Sequence, residues 1–274
     1  MFSFPDGTAV PAVGLGTASV DGEAGIAAIA GALDLGYRYV DTAVNYRNET
    51  EVGEALSRSS VPRAEVMVAS KIPGRAHERD KAIAAVEGSL ERLGLDRLDV
   101  MLVHWPNPSV GRYVEAYEAL LECRERGLVD HVGTSNYTEA HLREIVAATG
   151  EAPVLNQIEC HPLLPQRRML DVHRELGILT QAWSPLGKAS APYDAEPVER
   201  AAHTHGVTAA QVILRWHLER GVMPIPKSMH AERQRANLDV GSFSLTPDEV
   251  EAVSALEVAD GRLFDGDPDT HEEM

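Results

Sequence analysis

Short apolar stretches alternate with longer stretches of helical periodicity along nearly the whole chain, and this alternation restricts the fold more than any other feature. Strands are predicted at residues 13–17, 37–42, 66–72, 98–104, 130–135, 154–159, 179–184 and 222–227. Helices are predicted at residues 22–35, 49–59, 77–93, 113–126, 138–148, 166–176, 208–219 and 231–239. Alternation of this kind requires parallel strands, and eight such units predict an α/β fold closed as a (β/α)8 barrel of the TIM type.

An open, doubly wound sheet is the alternative arrangement of the same elements. Gly14 and Gly16 lack the third glycine of the dinucleotide-binding fingerprint, and Asp41 matches its acidic position only loosely. The closed barrel is therefore favoured. Because α/β barrels of this size are commonly one domain, we expect residues 1–274 to form a single domain.

Two local patterns predict additions at the ends of the barrel. Asp6-Gly7 between short apolar stretches is typical of a β-hairpin turn, which places a hairpin at the N-terminus. Thr246 before Pro247 is a strong helix start and predicts an extra helix near the C-terminus. The polar residues 260–274 beyond that helix are expected to form a mobile tail.

The composition argues against several classes of partner. The net charge of -17 disfavours binding to nucleic acid or to an anionic membrane surface. No apolar run approaches the ~20 residues of a membrane span, and the N-terminus does not match a signal peptide. Cys123 and Cys160 lack metal-ligand spacing and are expected to be free thiols in a reducing compartment. We therefore expect a cytoplasmic protein, and we expect a monomer because no extra interface element is evident.

Three ionisable side chains end consecutive strands of the predicted barrel. Asp41 ends the second strand, Lys71 the third and His104 the fourth. Because the carboxyl ends of all barrel strands meet on one face, these groups are expected to lie together. Each residue alone is typical of a solvated charge or a buried histidine, but their joint occurrence predicts an active site.

Tyr46, in the loop after the second strand, indicates the chemistry. A free phenol has a pKa of about 10, and a neighbouring ammonium favours its ionised form, so Lys71 would make Tyr46 a better proton donor. Asp41 would hold Lys71 in place, while His104 would donate a second hydrogen bond to the same carbonyl oxygen. Since side chains cannot donate hydride, reduction of a carbonyl requires a nicotinamide cofactor.

The ends of strands five to seven provide groups suited to that cofactor. Ser135, Asn136 and Gln157 offer hydroxyl and amide groups for a carboxamide. Trp183 offers a flat face on which a nicotinamide ring could stack. Taken singly, these residues are typical of polar strand ends and a core tryptophan, and their position beside the predicted active site is what favours a cofactor role.

The last strand and the helix after it provide positive charge for a phosphate. Lys227 and Ser228 end strand eight, where barrels commonly hold phosphate. Arg233 and Asn237 follow on one helix, four residues apart. This set suits a 2′-phosphate better than a ribose hydroxyl, so NADPH is the expected cofactor.

In combination, residues 36–49, 155–162 and 225–228 resemble the three motif regions of the aldo-keto reductase family. The tryptophan at position 183 resembles the pattern of a prokaryotic branch of the family, which includes 2,5-diketo-D-gluconate reductases. The resemblance implies a catalytic tetrad of Asp41, Tyr46, Lys71 and His104. The cofactor residues it implies are Gly16, Thr17, Ser135, Asn136, Gln157, Trp183, Ser184, Leu186, Lys227, Ser228, Arg233 and Asn237. The substrate residues it implies are Ala18, Val44, Trp105 and Asn107.

Two other functions remain open from the residues alone. A regulatory or redox-sensing barrel would bind NADP(H) with little turnover. A metal-dependent hydrolase would use His104, His161 and His173, but these are not paired as ligands on one strand, and no HExxH pattern is present. An NADPH-dependent reductase of aldehydes and ketones, without a metal, is the favoured function.

Overall fold

The computed structural model describes residues 1–264 and 266–274, and it begins with an antiparallel hairpin of β1 (Phe2–Ser3) and β2 (Ala9–Val10). The hairpin turn contains Gly7 in a left-handed conformation, with φ 89°. The predicted N-terminal hairpin is therefore present.

Eight parallel strands follow, each hydrogen-bonded to the next in chain order. They are β3 (Leu15–Gly16), β4 (Tyr39–Asp41), β5 (Met67–Ile72), β6 (Leu98–Val103), β7 (Val129–Ser135), β8 (Leu155–Glu159), β9 (Leu179–Trp183) and β10 (Val222–Pro224). The helices are α1 (Gly22–Leu35), α2 (Glu49–Arg58), α3 (Arg79–Leu93), α4 (Tyr113–Glu125), α5 (Glu139–Thr149), α6 (Arg167–Leu176), α7 (Glu196–His205), α8 (Ala209–Glu219), α9 (Ala231–Leu238) and α10 (Pro247–Ser254). The predicted (β/α)8 barrel is confirmed, with α7 inserted between β9 and α8.

Backbone hydrogen bonds join the first barrel strand to the last. Gly14 donates to the carbonyl of Pro224 at 3.0 Å, and Gly16 donates to the carbonyl of Pro226 at 3.2 Å. A Cβ atom at Gly14 would lie 2.8 Å from a side-chain carbon of Ile225, and one at Gly16 would lie 2.9 Å from the Ile225 carbonyl oxygen. Glycine at both positions therefore allows the two strands to approach closely enough to close the barrel.

The hairpin packs at the amino-terminal end of the barrel. The Phe4 ring lies 4.8 Å from the His131 ring near the start of β7, and His131 Nε2 lies 3.0 Å from a carboxylate oxygen of Asp6. Phe4 belongs to the apolar cluster inside the barrel, together with Tyr39 and Val100. This end of the barrel is therefore filled, and the opposite end is left for a site.

The C-terminal part of the chain departs from expectation in one respect. The predicted extra helix is present as α10, and Thr246 caps it through a reciprocal bond pair with Glu249. The tail after it was expected to be mobile, but its described residues return across the carboxyl-terminal face of the barrel. The Leu263 amide donates to the buried Glu159 carboxylate at 2.7 Å, and Glu273 lies beside His104.

Candidate active site

A cavity of about 540 Å³ opens at the carboxyl ends of the barrel strands. The predicted site residues that line it are Gly16, Thr17, Ala18, Asp41, Tyr46, His104, Trp105, Ser135, Asn136, Gln157, Trp183, Ser184, Leu186 and Lys227. Lys71 lies directly behind this wall, bonded to Asp41. Sequence reasoning thus located the cavity from strand ends that are far apart in the chain.

Lys71 and Asp41 form a fully buried ion pair between the neighbouring strands β4 and β5. Lys71 Nζ donates to Asp41 Oδ1 at 2.6 Å and to the Thr42 carbonyl at 2.8 Å. The second oxygen of Asp41 accepts a hydrogen bond of 2.7 Å from the Gln157 amide. Both carboxylate oxygens are therefore occupied, and the ammonium is held at one place in the cavity wall.

Tyr46 reaches this pair from a 3-10 turn, Val44–Tyr46, that follows β4. Its hydroxyl lies 3.4 Å from Lys71 Nζ. Burial raises the pKa of the Tyr46 phenol, and the Lys71 charge opposes this by lowering it, with a net shift upward. Burial lowers the pKa of Lys71, but the charges of Asp41 and Tyr46 reverse this, so its net shift is also upward. The site therefore holds a protonated phenol beside an ammonium, which is the arrangement of a proton donor with a waiting countercharge.

His104 completes the cluster from the residue after β6. Its ring meets the Tyr46 ring edge-on, with 5.7 Å between centroids. The Asn136 amide donates to the His104 carbonyl at 3.0 Å and so holds its backbone. On the far side of the imidazole, Nδ1 lies 3.0 Å from a carboxylate oxygen of Glu273. Sequence reasoning missed Glu273, because nothing in the polar tail marks one of its acids as belonging to the site.

The wall formed by strands β7 to β9 carries the residues predicted for a carboxamide and a nicotinamide ring. Trp183 Nε1 donates to the Asn136 side-chain oxygen at 2.8 Å, and the Ser135 hydroxyl donates to the Gln157 carbonyl at 2.9 Å. Phe264 of the tail stacks on Trp183 at 5.6 Å and 25° between planes. One face of the indole is thus covered by a residue that sequence reasoning did not assign.

Backbone strain is concentrated around the cavity. Non-glycine residues with positive φ that line it are Ser19, Asn136, Ser184 and Lys188, with φ values of 59°, 62°, 47° and 50°. Such conformations are unfavourable for residues with side chains and are commonly retained at functional sites. The strained positions thus point to the same end of the barrel as the ionisable cluster.

Of the four residues predicted for a phosphate, Lys227 lines the cavity. The Ser228 hydroxyl accepts from the His230 amide at 3.1 Å, at the start of α9. On that helix Arg233 is exposed, whereas Asn237 is buried at 5% exposure. Arg233 and Asn237 therefore differ in their exposure to solvent, although they are one helical turn apart.

The four residues predicted for substrate have different surroundings. Ala18 and Trp105 line the cavity, while Val44 stands half-buried on the turn before Tyr46. Asn107 is fully buried, and its amide donates to the Glu273 carbonyl at 2.6 Å. Asn107 thus contacts the tail in this structure.

A buried amide at Asn48 braces the first loop of the site, and the sequence analysis assigned it no role. Its nitrogen donates to the carbonyls of Thr17 and Val20 at 2.7 and 2.8 Å. Its oxygen accepts from the Thr42 hydroxyl at 2.7 Å. The loops after β3 and β4 are therefore tied together beside the Lys71 and Asp41 pair.

The histidines considered for a metal hydrolase have separate environments. His161 Nε2 lies 3.0 Å from Glu159, and His173 Nδ1 lies 2.7 Å from the Thr180 hydroxyl. Within the described ranges, no group of three or more histidine, cysteine, aspartate or glutamate side chains is placed to hold a metal.

None of the helices in the described ranges is long and apolar enough to cross a membrane.

Comparisons with known proteins agree with this geometry. Residues 12–258 match the model of the aldo/keto reductase family. The chain is 51% identical to 2,5-diketo-D-gluconic acid reductase B of Corynebacterium sp. (strain SHS752001), covering 99% of this chain and 98% of the relative. It is 38% identical to methylglyoxal reductase DkgA of Escherichia coli (strain K12), covering 96% and 95%.

Solved structures give the same result. A mutant of Gox0644 in complex with NADPH superimposes with a TM-score of 0.93 at 38% identity, covering 99% of this chain and 98% of the other. The family match spans most of the chain, and the relatives are similar over nearly their whole length. The chain therefore belongs to the aldo/keto reductase family.

Proposed function

We propose that this chain reduces the carbonyl group of aldehydes and ketones with Tyr46 as the proton donor. That it is an NADPH-dependent oxidoreductase acting on carbonyl groups follows from its family and its relatives. The observation that carries the residue assignment is the line of contacts from Asp41 through Lys71 to Tyr46, with 2.6 Å and 3.4 Å between the bonded atoms. It ends at the cavity, where a carbonyl oxygen can be reached.

When bound, NADPH would supply the hydride for the carbonyl carbon. The carbonyl oxygen gains negative charge as its double bond is lost, and Tyr46 transfers its hydroxyl proton to that oxygen to give the alcohol. Lys71 stabilises the phenolate left on Tyr46 by its positive charge, and a proton from solvent restores the phenol. His104 donates a second hydrogen bond to the carbonyl oxygen and fixes its position relative to Tyr46.

The residues around the cavity fit NADPH. Hydroxyl and amide groups of Ser135 and Gln157 stand on the same wall as the Trp183 indole. Lys227 adds a positive charge at the rim of a chain whose net charge is -17. Arg233 is exposed on α9, six residues after Lys227 in the chain, and a guanidinium suits a phosphate. We assign the nicotinamide carboxamide to Ser135 and Gln157. We assign the 2′-phosphate to Lys227 and Arg233.

The cofactor assignment extends to the other predicted residues. We propose that Gly16, Thr17, Asn136, Ser184, Leu186, Ser228 and Asn237 complete the NADPH cleft. We propose that Ala18, Val44, Trp105 and Asn107 bound the substrate, with the small Ala18 side chain leaving that wall open. A regulatory barrel without turnover is not favoured, because the cluster around Tyr46 has no use in binding alone.

Several properties of the whole protein are part of the proposal. Residues 1–274 form one domain, since both the hairpin and the tail pack on the barrel. The protein is a cytoplasmic enzyme of a bacterium, supported by two free buried cysteines and by bacterial relatives. It acts as a monomer on a small molecule, with no nucleic-acid or membrane partner. Light scattering that gave a dimer mass would contradict the monomer.

The decisive experiment is a kinetic panel with purified protein and NADPH. The names of two relatives make a diketo sugar acid and methylglyoxal the first substrates to test. We expect NADPH oxidation that depends on the carbonyl compound and yields the matching alcohol. NADPH binding without oxidation across aldehydes, keto esters and keto sugars would contradict the proposal and favour the regulatory alternative.

A further inference from the structure

The last three residues of the chain are docked beside the active site. The Asn107 amide donates to the Glu273 carbonyl at 2.6 Å, and the Asn45 amide donates to the Glu273 carboxylate at 2.6 Å and to the Met274 carbonyl at 3.2 Å. A Cβ atom at Gly74 would lie 2.1 Å from the Glu273 carbonyl oxygen, so only glycine leaves room for the tail there. Residues from three separate loops therefore hold Glu273 in one place.

The Glu273 side chain is directed at His104. One carboxylate oxygen lies 3.0 Å from His104 Nδ1, and the Glu273 side chain is 18% exposed. Burial raises the pKa of Glu273, but His104, Asn45 and Lys71 lower it, and the net shift is downward. Glu273 is therefore a carboxylate, and it contacts the Nδ1 side of the His104 ring without the geometry of a hydrogen bond.

We propose that Glu273 is a positioning residue for carbonyl reduction, acting through His104. Its carboxylate lies against the Nδ1 side of the imidazole and so leaves Nε2 as the ring nitrogen for the substrate. This inference rests on the proposed function, since it concerns the same carbonyl oxygen that Tyr46 protonates.

The charged and titratable groups around this contact come from several elements. Tyr46 faces the His104 ring from the turn after β4, and the Lys71 charge lies behind it on β5 with Asp41 as its partner. On the tail side, the His77 imidazole is near enough to Glu273 for their charges to interact. Glu273 is the one carboxylate among these groups that contacts His104 directly.

The test compares two neighbouring glutamates. Glu273→Gln removes the charge but keeps the shape, and Glu272→Gln makes the same change one residue away, at an exposed side chain that accepts a hydrogen bond from the Ser109 amide. We expect Glu273→Gln to lower kcat for a reactive aldehyde by about tenfold or more, while NADPH binding and KM stay within about twofold. Glu272→Gln is expected to match the unaltered protein.

A variant at His104 separates a role through that residue from a loss of structure. In a His104→Phe background, Glu273→Gln should cause no further loss of kcat. Thermal unfolding and NADPH fluorescence check that each variant retains the fold.

Two results would overturn the inference while leaving the proposed function in place. One is a Glu273→Gln variant that behaves like Glu272→Gln in kcat and KM. The other is an equal loss of kcat in the presence and absence of the His104 imidazole, which would mean that Glu273 only supports the fold. An unaltered protein without NADPH-dependent turnover would overturn the proposed function, and this inference with it.

Discussion

Lys71 donates to Asp41 across two neighbouring barrel strands at 2.6 Å, and their side chains are 0% and 2% exposed. Removing two charges from water is costly, so such a pair persists only where each charge compensates the other. Here the pair also holds an ammonium 3.4 Å from the Tyr46 hydroxyl. The same contact thus serves the stability of the barrel and the chemistry of the cavity.

Replacing Asp41 by Asn should therefore affect both. The buried Lys71 would lose its counter-charge, which typically destabilises a protein by about 3–5 kcal/mol. We expect Asp41→Asn to lower the free energy of unfolding by this amount in urea, and to lower kcat as well. Asp80→Asn is the matched control, since the Asp80 side chain is 90% exposed, and it should change neither quantity measurably. Equal stabilities for the two variants would contradict the role of the pair.

The choice between NADPH and NADH should depend on Arg233. If its guanidinium binds the 2′-phosphate, Arg233→Ala should weaken NADPH binding by about tenfold or more and leave NADH binding unchanged. Arg235→Ala removes an exposed arginine from the same helix and serves as the control. Fluorescence titration with both cofactors measures this, and an unaltered protein with equal affinity for them would refute the assignment.

Acid should destabilise the fold through buried histidines. Burial lowers the pKa of His77 to about 4 and that of His173 and His217 to about 3. In the unfolded chain they titrate near 6.5, so the unfolded state takes up protons first as the pH falls. The contribution of these histidines to the free energy of unfolding is therefore fully present above pH 6.5. Below pH 6.5 the free energy of unfolding falls by about 1.4 kcal/mol per pH unit for each histidine that is protonated only in the unfolded state.

This decline is open to a direct test at one histidine. His217 Nε2 lies 3.0 Å from the Pro185 carbonyl, a bond that the amide of glutamine can replace. The free energy of unfolding of His217→Gln should therefore fall less steeply between pH 6.5 and 4 than that of the unaltered protein. His203→Gln changes an exposed histidine and should leave the slope as it was. Identical slopes for all three proteins would show that His217 is not buried in a neutral form.

Local sequence patterns predicted the barrel well, because strand and helix periodicities are properties of neighbouring residues. The strand ends at Asp41, Lys71 and His104 were predicted for the same reason, since topology alone brings them to one face. Gly14 and Gly16 do not complete a dinucleotide-binding fingerprint. The structure shows instead that glycine is needed at these positions because the first and last barrel strands are in close contact there.

Contacts between distant parts of the chain could not be predicted in this way. Glu273 and Asn107 are 166 residues apart, and no periodicity links a polar tail to a loop after β6. The same holds for Phe264, which covers one face of Trp183 although the sequence suggested only a free ring. Such pairings are set by the path of the tail over the barrel mouth.

The most direct test of the account is Tyr46→Phe, which removes one hydroxyl and keeps the ring. Tyr117→Phe is the control, because it removes a hydroxyl from a tyrosine buried on α4, outside the cavity lining. Single-turnover reduction of a reactive aldehyde with NADPH should be slower by about a hundredfold or more in Tyr46→Phe, with NADPH affinity unchanged. Reduction by Tyr46→Phe at the rate of the unaltered protein would contradict the assignment of Tyr46 as proton donor.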